Sequence, residues 1–265
     1  MEIFDLSGKK ALVTGGAGGI GKACAIGMAK AGADVAIIDI KNEMGEETVA
    51  EIKAISRRAK FIYCDVTEIK QIEDMVKQVV NEFGRLDIAF NNAGIGGGMG
   101  GAGRKASIEE ESLDIWEKII EINLNSVFYC CREEAKYMIP QKYGKIINTA
   151  SMSGIIINNF PTFGVGMVAY CTAKAGVRHL TKALAMEWVK YNIFVNSISP
   201  GYAMTPMTQH IQNNPELLAH ENLTTPMHRQ AKAEEMIGGV IYLASDASSF
   251  TTGHDLVMDG GHTVW

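Results

Sequence analysis

The stretch Lys10–Gly32, KALVTGGAGGIGKACAIGMAKAG, decides the fold, because an apolar strand, a glycine cluster and a helix-forming run follow one another directly. Within it, Gly16-x-Gly18-x-x-Gly21 matches a turn in which glycines let the backbone approach a pyrophosphate at a helix N-terminus. The same letters imitate a nucleoside triphosphate loop, but that loop needs Ser or Thr after Lys22, and the chain has Ala23. The stretch therefore predicts a dinucleotide site.

A carboxylate closes the next apolar run, Asp34–Ile40 (DVAIIDI). Asp39 lies 18 residues after Gly21, where a carboxylate accepts hydrogen bonds from the adenosine ribose hydroxyls and repels a 2′-phosphate. This predicts NAD rather than NADP as the cofactor. Lys41 would weaken that preference, and the alternative role for Asp39 is a cap at the end of the strand.

Short apolar runs alternate with amphipathic stretches along the rest of the chain. The runs do not alternate polar and apolar residues, which indicates parallel strands covered on both faces. We expect an α/β fold: one doubly wound Rossmann domain over residues 1–265, with a parallel sheet of about seven strands and helices on both faces. The predicted strands are Lys10–Thr14, Asp34–Ile40, Lys60–Val66, Leu86–Asn91, Lys145–Ala150, Ile193–Ser199 and Asp255–Met258. The predicted helices are Ile20–Ala31, Glu43–Arg58, Gln71–Phe83, Leu113–Met138 and residues 170–190 and 233–244.

Two segments fit neither pattern. Gly94–Gly103 holds seven glycines in ten residues, which is typical of a surface loop or of a flap beside a pocket. Residues 202–230 contain three prolines and are too long for a simple connection, so we expect a substrate lid there.

Composition excludes several classes of protein. A net charge of −5 and a pI of about 5.7 argue against a nucleic-acid partner. The uncharged run Ile146–Ala173 is broken by Asn, Ser, Pro and Gly, so we expect no membrane span. The five cysteines form no C-x-x-C pair, which favours reduced, buried thiols in a cytoplasmic protein. The histidines show no metal-ligand spacing, so no metal is expected.

Tyr170 and Lys174 are four residues apart, so on a helix they share one face. A nearby ammonium favours the phenolate, and we expect it to lower the pKa of Tyr170 towards a value useful for exchanging a proton with an alcohol. Ser151 follows the strand IINTA, at the edge where open α/β sheets place ligands, and its hydroxyl could stabilise charge on a substrate oxygen. A thiol nucleophile at Cys171 is the weaker alternative, because the sequence shows no local base.

TGGAGGIG (Thr14–Gly21), NNAG (Asn91–Gly94) and Tyr170-x-x-x-Lys174 occur in this order, and together they resemble the short-chain dehydrogenase/reductase family from Gly8 to Gly261. The resemblance implies catalytic roles for Ser151, Tyr170, Lys174 and Asn123. In the family the serine stands three residues before a glycine; Ser151 fits, and Ser153 is its competitor. Asn123 would hold a water that relays protons past Lys174.

The resemblance also implies a set of cofactor contacts along the chain. Besides Asp39, Tyr170 and Lys174, the implied cofactor-binding residues are Gly15, Gly19, Ile20, Gly21, Asp65, Val66, Asn92, Ala93, Gly94, Pro200, Gly201, Ala203 and Thr205. The chain departs from the family in a longer gap between Ser151 and Tyr170, filled by IIINNFPTFGVGMVA. This puts the shape of the substrate pocket in doubt, but not the chemistry.

The ending DGGHTVW and the SMSG segment are similar to sugar-alcohol dehydrogenases and ketose reductases of the family. We therefore expect NAD-dependent interconversion of a secondary alcohol and a ketone, on a polyol, ketose or sugar acid, with Asn158, Asn159 and His210 as candidate hydroxyl binders. The alternatives are a hydroxysteroid or 3-oxoacyl substrate and, in another class, a non-catalytic NAD-sensing protein. The family also implies a homotetramer.

Overall fold

The computed structural model describes residues 2–97, 108–110, 112–157 and 165–264. Its strands are β1 Lys10–Thr14, β2 Asp34–Asp39, β3 Ala59–Tyr63, β4 Ile88–Asn91, β5 Gly144–Thr149, β6 Ile193–Pro200, β7 Ala203–Met204, β8 Ala231–Lys232 and β9 Asp255–Met258. Within the described ranges, seven strands form one parallel sheet in the order β3-β2-β1-β4-β5-β6-β9, and β7 pairs with β8. The predicted doubly wound α/β fold is confirmed.

Helices cover both faces of this sheet. They are α1 Gly19–Lys30, α2 Asn42–Ala54, α3 Ile69–Phe83, α4 Leu113–Ile120, α5 Ser126–Gln141, α6 Val165–Trp188, α7 Gln209–Gln212, α8 Pro215–Thr224 and α9 Ile237–Ala244. Side chains of β1 alternate between two cores: Leu12 packs with α3, α5 and α6, and Ala11 and Val13 pack with α1, α2 and α9. Strands with both faces buried explain the continuous apolar runs of the sequence.

The sheet order changes direction between β1 and β4, because the chain first adds strands on one side of β1 and then continues on the other. A crevice at the carboxyl ends of two such strands is where open α/β sheets bind ligands. The glycine cluster follows β1 directly, and Asn92 follows β4. The topology thus brings two of the predicted motifs to one place.

Several elements differ from expectation, and three of them lie at or next to predicted site residues. β3 ends at Tyr63, so Asp65 and Val66 lie beyond the strand. The predicted helix over 113–138 is two helices joined by a π-helical turn, Glu121–Asn125, and extends to Gln141. The segment 202–230 contains α7, α8 and the β7 strand, which apolar periodicity did not reveal.

All five cysteines are buried and none is in a disulfide, as expected. Burial raises the pKa of Cys24 and Cys64 to about 12, so these thiols stay protonated. Across the described ranges, no helix has the length and apolar character needed to cross a membrane.

Candidate active site

The glycine loop has a geometry that non-glycine residues could not adopt. Gly19 has a φ of +53°, in the left-handed region, and it begins α1. A Cβ on Gly21 would overlap the carbonyl oxygen of Gly15 and lie 2.6 Å from Nδ2 of Asn92. A Cβ on Gly18 would meet only Cε of Met44, at 3.6 Å. Gly15 also lies in the left-handed region, with a φ of +65°, and a Cβ on it would be 3.0 Å from Cα of Ala93. The steric requirement is therefore strongest at Gly15, Gly19 and Gly21, and Gly18 is the loop glycine with room for a side chain.

Asp39 faces this loop from the end of β2. Its Oδ2 accepts a hydrogen bond from the backbone N–H of Ala17 at 3.1 Å, and its Oδ1 accepts one from the backbone N–H of Lys41 at 3.0 Å. Asp39 therefore does cap the end of the strand, as in the alternative role considered for it. The same two bonds hold the carboxylate at the mouth of the crevice, beside the predicted phosphate turn.

Asn92 braces the glycine loop. Its Nδ2 donates to the carbonyl oxygens of Thr14 and Gly15, at 3.3 and 3.4 Å. Oγ1 of Thr14 in turn accepts from the backbone N–H groups of Asn92 and Ala93, at 3.0 and 3.1 Å. The ends of β1 and β4 are therefore tied together, and the Asn92 amide, predicted to line the ribose, is directed at loop carbonyls.

Ser151, Tyr170 and Lys174 come together at the carboxyl end of β5. The side chains of Ser151 and Tyr170 are hydrogen-bonded. Lys174 Nζ lies 5.7 Å from the centroid of the Tyr170 ring and donates to the carbonyl oxygen of Thr149 at 2.8 Å. Ser151 and Lys174 are buried and Tyr170 is half-buried, so the place where the three groups meet is partly shielded from water. The competitor Ser153 instead donates its backbone N–H to Oγ of Ser151, at 3.1 Å.

The expected direction of the Tyr170 pKa shift is wrong for the protein alone. Burial raises the pKa of the phenol, and the hydrogen bond to Ser151 opposes this rise only in part. Burial also lowers the pKa of Lys174 to about 8, since its ammonium is desolvated and its hydrogen-bond partner is a neutral carbonyl. The positive charge of a bound oxidised nicotinamide would favour the phenolate. Burial likewise raises the pKa of Cys171, which disfavours the thiol nucleophile.

Asn123 lies in the π-helical turn and is fully buried. Its Nδ2 donates to the carbonyl oxygen of Ile119 at 3.1 Å, and its Oδ1 accepts from the backbone N–H of Ile95 at 3.2 Å. A Cβ on Gly94 would lie 2.8 Å from this Oδ1 and 3.7 Å from Nζ of Lys174. The turn therefore brings Asn123 beside Lys174; π-helical turns are frequent at functional sites. The water relay stays a prediction.

The segment after β6 closes the other side of the crevice. The Thr205 side chain lies 3.4 Å from the Cβ position of Gly19, so the two residues face each other across the glycine loop. Met207 lies 3.4 Å from the Cβ position of Gly96. Gly201 packs on the backbone of Asp259, where a Cβ would be 2.7 Å from Cα.

Other predicted contacts have local roles or lie elsewhere. Oδ1 of Asp65 accepts from the backbone N–H and the hydroxyl of Thr67, at 2.9 and 2.8 Å, in a turn beyond β3. His210 is exposed on α7. Asn158, Asn159 and residues 98–103 lie outside the described residues.

Sequence reasoning missed Thr14 and Thr149. The threonine that opens TGGAGGIG was visible in the motif, and its position at the strand end could have pointed to a bracing hydroxyl. Thr149 acts through its backbone carbonyl, which no side-chain pattern reveals. The glycine turn at a helix N-terminus, the Asp39 carboxylate and the buried Lys174 fit a nicotinamide dinucleotide.

Comparison with known proteins agrees with this geometry. Residues 15–263 match the family model described as enoyl-(acyl carrier protein) reductase. The chain is 36% identical over 263 residues to a sorbose reductase of Candida albicans, covering 99% of this chain and 90% of that protein. It is 38% identical over 267 residues to an NADP-dependent mannitol dehydrogenase of Alternaria alternata, covering 99% and 95%.

A solved structure adds a similarity in three dimensions. The gluconate 5-dehydrogenase of Burkholderia cenocepacia, in complex with NADP and tartrate, superposes with a TM-score of 0.89 at 32% identity, covering 99% of this chain and 98% of that one. The chain belongs to the short-chain dehydrogenase/reductase family. It is thus an oxidoreductase that acts on CH–OH groups with a nicotinamide cofactor.

Proposed function

We propose that this protein interconverts a secondary alcohol and a ketone on a polyol, ketose or sugar acid, with NAD preferred over NADP. The observation that carries the proposal is the hydrogen-bonded pair of Ser151 and Tyr170, with Lys174 behind it, facing a glycine loop across the sheet crevice. Interconversion of an alcohol and a ketone moves a proton at the oxygen as a hydride moves at the carbon, and a positioned acid-base group next to that carbon serves this proton transfer.

Each residue has a defined task in this scheme. A bound oxidised nicotinamide supplies the acceptor for the hydride of the carbinol carbon. Tyr170 accepts the hydroxyl proton during oxidation and donates it back during reduction. The Ser151 hydroxyl donates a hydrogen bond to the same substrate oxygen and stabilises the charge that develops there. Lys174 holds its ammonium beside Tyr170 and would bind the nicotinamide ribose.

The cofactor preference rests on Asp39. Its carboxylate stands at the end of β2, where a 2′-phosphate would meet a like charge. The mannitol dehydrogenase of Alternaria alternata is NADP-dependent, so relatives of this chain differ in this respect. We propose NAD because the backbone N–H groups of Ala17 and Lys41 fix the Asp39 carboxylate in place. Lys41 takes part in this contact through its backbone and not through its side-chain ammonium.

The substrate class is inferred from the relatives and from the ending DGGHTVW. The sorbose reductase and the mannitol dehydrogenase act on a ketose and a polyol, and the gluconate enzyme acts on a sugar acid. The test is an initial-rate screen of polyols, ketoses, sugar acids, hydroxysteroids and 3-oxoacyl thioesters, with NAD and NADP in turn. Turnover only with the last two classes would overturn the substrate assignment. Coenzyme binding without turnover of any substrate would favour the NAD-sensing alternative.

The proposed assembly and location are a homotetramer in the cytoplasm. Exposed apolar side chains lie on α5, α6 and β9, at Phe128, Met186 and Val257, and burial in a partner interface would remove them from water. Size-exclusion chromatography with light scattering tests the tetramer; a monomeric mass at micromolar concentration would overturn it.

A further inference from the structure

Ser151, whose hydroxyl holds the substrate oxygen in the proposed scheme, lies at the start of a short turn. Ser151 precedes a 3-10 turn, Met152–Gly154, in which the backbone N–H of Gly154 donates to the carbonyl oxygen of Ser151 at 2.9 Å. Any movement of this turn would displace the Ser151 hydroxyl relative to Tyr170 on α6.

The turn is clamped onto α6 at Gly154. A Cβ on Gly154 would lie 2.6 Å from the carbonyl carbon of Lys174 and 2.7 Å from the backbone nitrogen of Ala175, so only glycine allows this approach. One turn of helix further on, Nη1 of Arg178 donates to the carbonyl oxygen of Gly154 at 3.0 Å. The Ser151 turn therefore has one steric and one hydrogen-bonded attachment to the helix that carries Tyr170.

Arg178 is itself fixed by the last strand of the sheet. Its Nε donates to Oδ2 of Asp255 on β9 at 2.6 Å, and only 6% of the Asp255 side chain is exposed. The hydroxyls of Ser197 and Ser199 on β6 donate to the same carboxylate, at 2.7 and 2.8 Å. With its carboxylate held by three side chains on two elements, Asp255 is a rigid anchor for the guanidinium.

We propose that Arg178 and Asp255 are positioning residues that hold the turn of Ser151, and so its hydroxyl, against Tyr170. A planar guanidinium can bridge Asp255 and Gly154 at once because its Nε and Nη1 point in fixed directions. A lysine presents a single ammonium and could not hold both partners in the same way. The inference rests on the proposed catalytic role of Ser151.

The test compares Arg178→Met with a matched control, Lys10→Met. Lys10 also makes a partly buried ion pair of 2.6 Å, with Asp34, but at the amino-terminal edge of the sheet, away from Ser151. We expect Arg178→Met to lower kcat by about 10- to 100-fold, as misplacement of a reacting group does, and to leave KM for the coenzyme unchanged. Lys10→Met should lower thermal stability with little change in kcat.

A second measurement needs no substrate. Hydrogen exchange followed by mass spectrometry should show faster exchange in peptides covering 151–157 of Arg178→Met than of the wild type, and no such change in Lys10→Met. Asp255→Asn, a milder change that keeps one acceptor oxygen, should show the same effects to a smaller degree. Arg178→Lys should fail to restore kcat.

The outcomes separate the two proposals. The positioning role alone would be overturned if the wild type turns over substrate, if Arg178→Met and Lys10→Met lose kcat equally, and if hydrogen exchange at 151–157 is unchanged. Absence of wild-type turnover with every substrate would overturn the proposed function. In that case, faster hydrogen exchange at 151–157 in Arg178→Met would still support the role of Arg178 in holding the Ser151 turn.

Discussion

Nζ of Lys174 donates to the carbonyl oxygen of Thr149 at 2.8 Å, so the last residue of the strand β5 fixes the ammonium group of Lys174 on the helix α6. The bond crosses from the sheet to the helix at the same edge where Ser151 follows β5. Strand and helix are thereby held in register at the place where proton transfer is proposed. This contact orients Lys174 towards a neutral partner, and burial lowers its pKa to about 8.

Tyr170→Phe removes the proton donor and acceptor while keeping the aromatic ring. We expect kcat to fall by about 10²–10⁴-fold, the usual contribution of general acid–base catalysis. NADH binding, followed by its fluorescence, should stay close to the wild-type value. Turnover within a few-fold of the wild type would contradict the role of Tyr170.

The raised pKa of Tyr170 gives the two reaction directions opposite pH dependences. Ketone reduction needs the protonated phenol and should slow as pH rises through its pKa, whereas alcohol oxidation needs the phenolate and should speed up. Ser151→Ala removes a hydrogen bond that lowers this pKa, so its oxidation profile should move to higher pH. Initial rates in both directions from about pH 7 to 11, on both sides of the usual tyrosine pKa of about 10, test this, and an unshifted profile would count against it.

Asp39→Ala removes the charge expected to repel a 2′-phosphate. The ratio of kcat/KM for NAD to that for NADP should fall by at least about tenfold, because one like-charge contact costs several kcal/mol. Lys41→Ala is the companion variant, since Lys41 is expected to weaken the NAD preference; it should raise the ratio. An unchanged ratio in Asp39→Ala would show that the cofactor argument is wrong.

Gly21→Ala and Gly18→Ala form a matched pair in the glycine loop. A methyl group at Gly21 would overlap the Gly15 carbonyl and force the loop open, so coenzyme binding should be lost and the melting temperature should fall. At Gly18 the φ is −162° and a Cβ would have room, so the melting temperature should hardly change. Thermal unfolding and coenzyme titration check both, and equal melting temperatures in the two variants would refute the steric argument.

Glu134 gives stability a pH dependence. It is fully buried, its Oε2 accepts from Nδ2 of Asn91 at 3.1 Å, and burial raises its pKa from 4.5 to about 8. The folded state therefore keeps a proton that the unfolded state releases, and the free energy of unfolding falls as pH rises from 4.5 to about 8.

Glu134→Gln removes this titration. In urea unfolding, the free energy of unfolding of this variant should fall less steeply over that pH range than that of the wild type. Near the upper end of the range, the variant should be the more stable protein. Glu73→Gln, at a partly exposed carboxylate on α3, should keep the wild-type slope. A Glu134→Gln slope identical to that of the wild type would contradict the assignment.

The fold could be predicted from the sequence because local pattern and tertiary structure agree. β1 and β9 begin and end at the predicted residues, since turn-forming residues bound their apolar runs. The third strand was predicted too long, because Cys64 and Val66 are apolar and buried without being in the sheet.

The site was less predictable where it depends on distant contacts. Tyr170, Lys174 and Ser151 follow from spacing and strand ends. The ion pair of Arg178 and Asp255 joins residues 77 positions apart, and no local pattern indicates it. The direction of the Tyr170 pKa shift depends on burial, which the i, i+4 spacing does not report.

The π-helical turn Glu121–Asn125 inserts one surplus residue between two helical phases. Since each α-helical residue advances the side chains by about 100°, the surplus turns the apolar face of α5 relative to that of α4. Deleting one residue from the turn would restore a continuous α-helix, and α4 and α5 could not then both keep their present partners. The surplus residue thus allows two consecutive helices, α4 and α5, to direct their apolar faces at different parts of the protein.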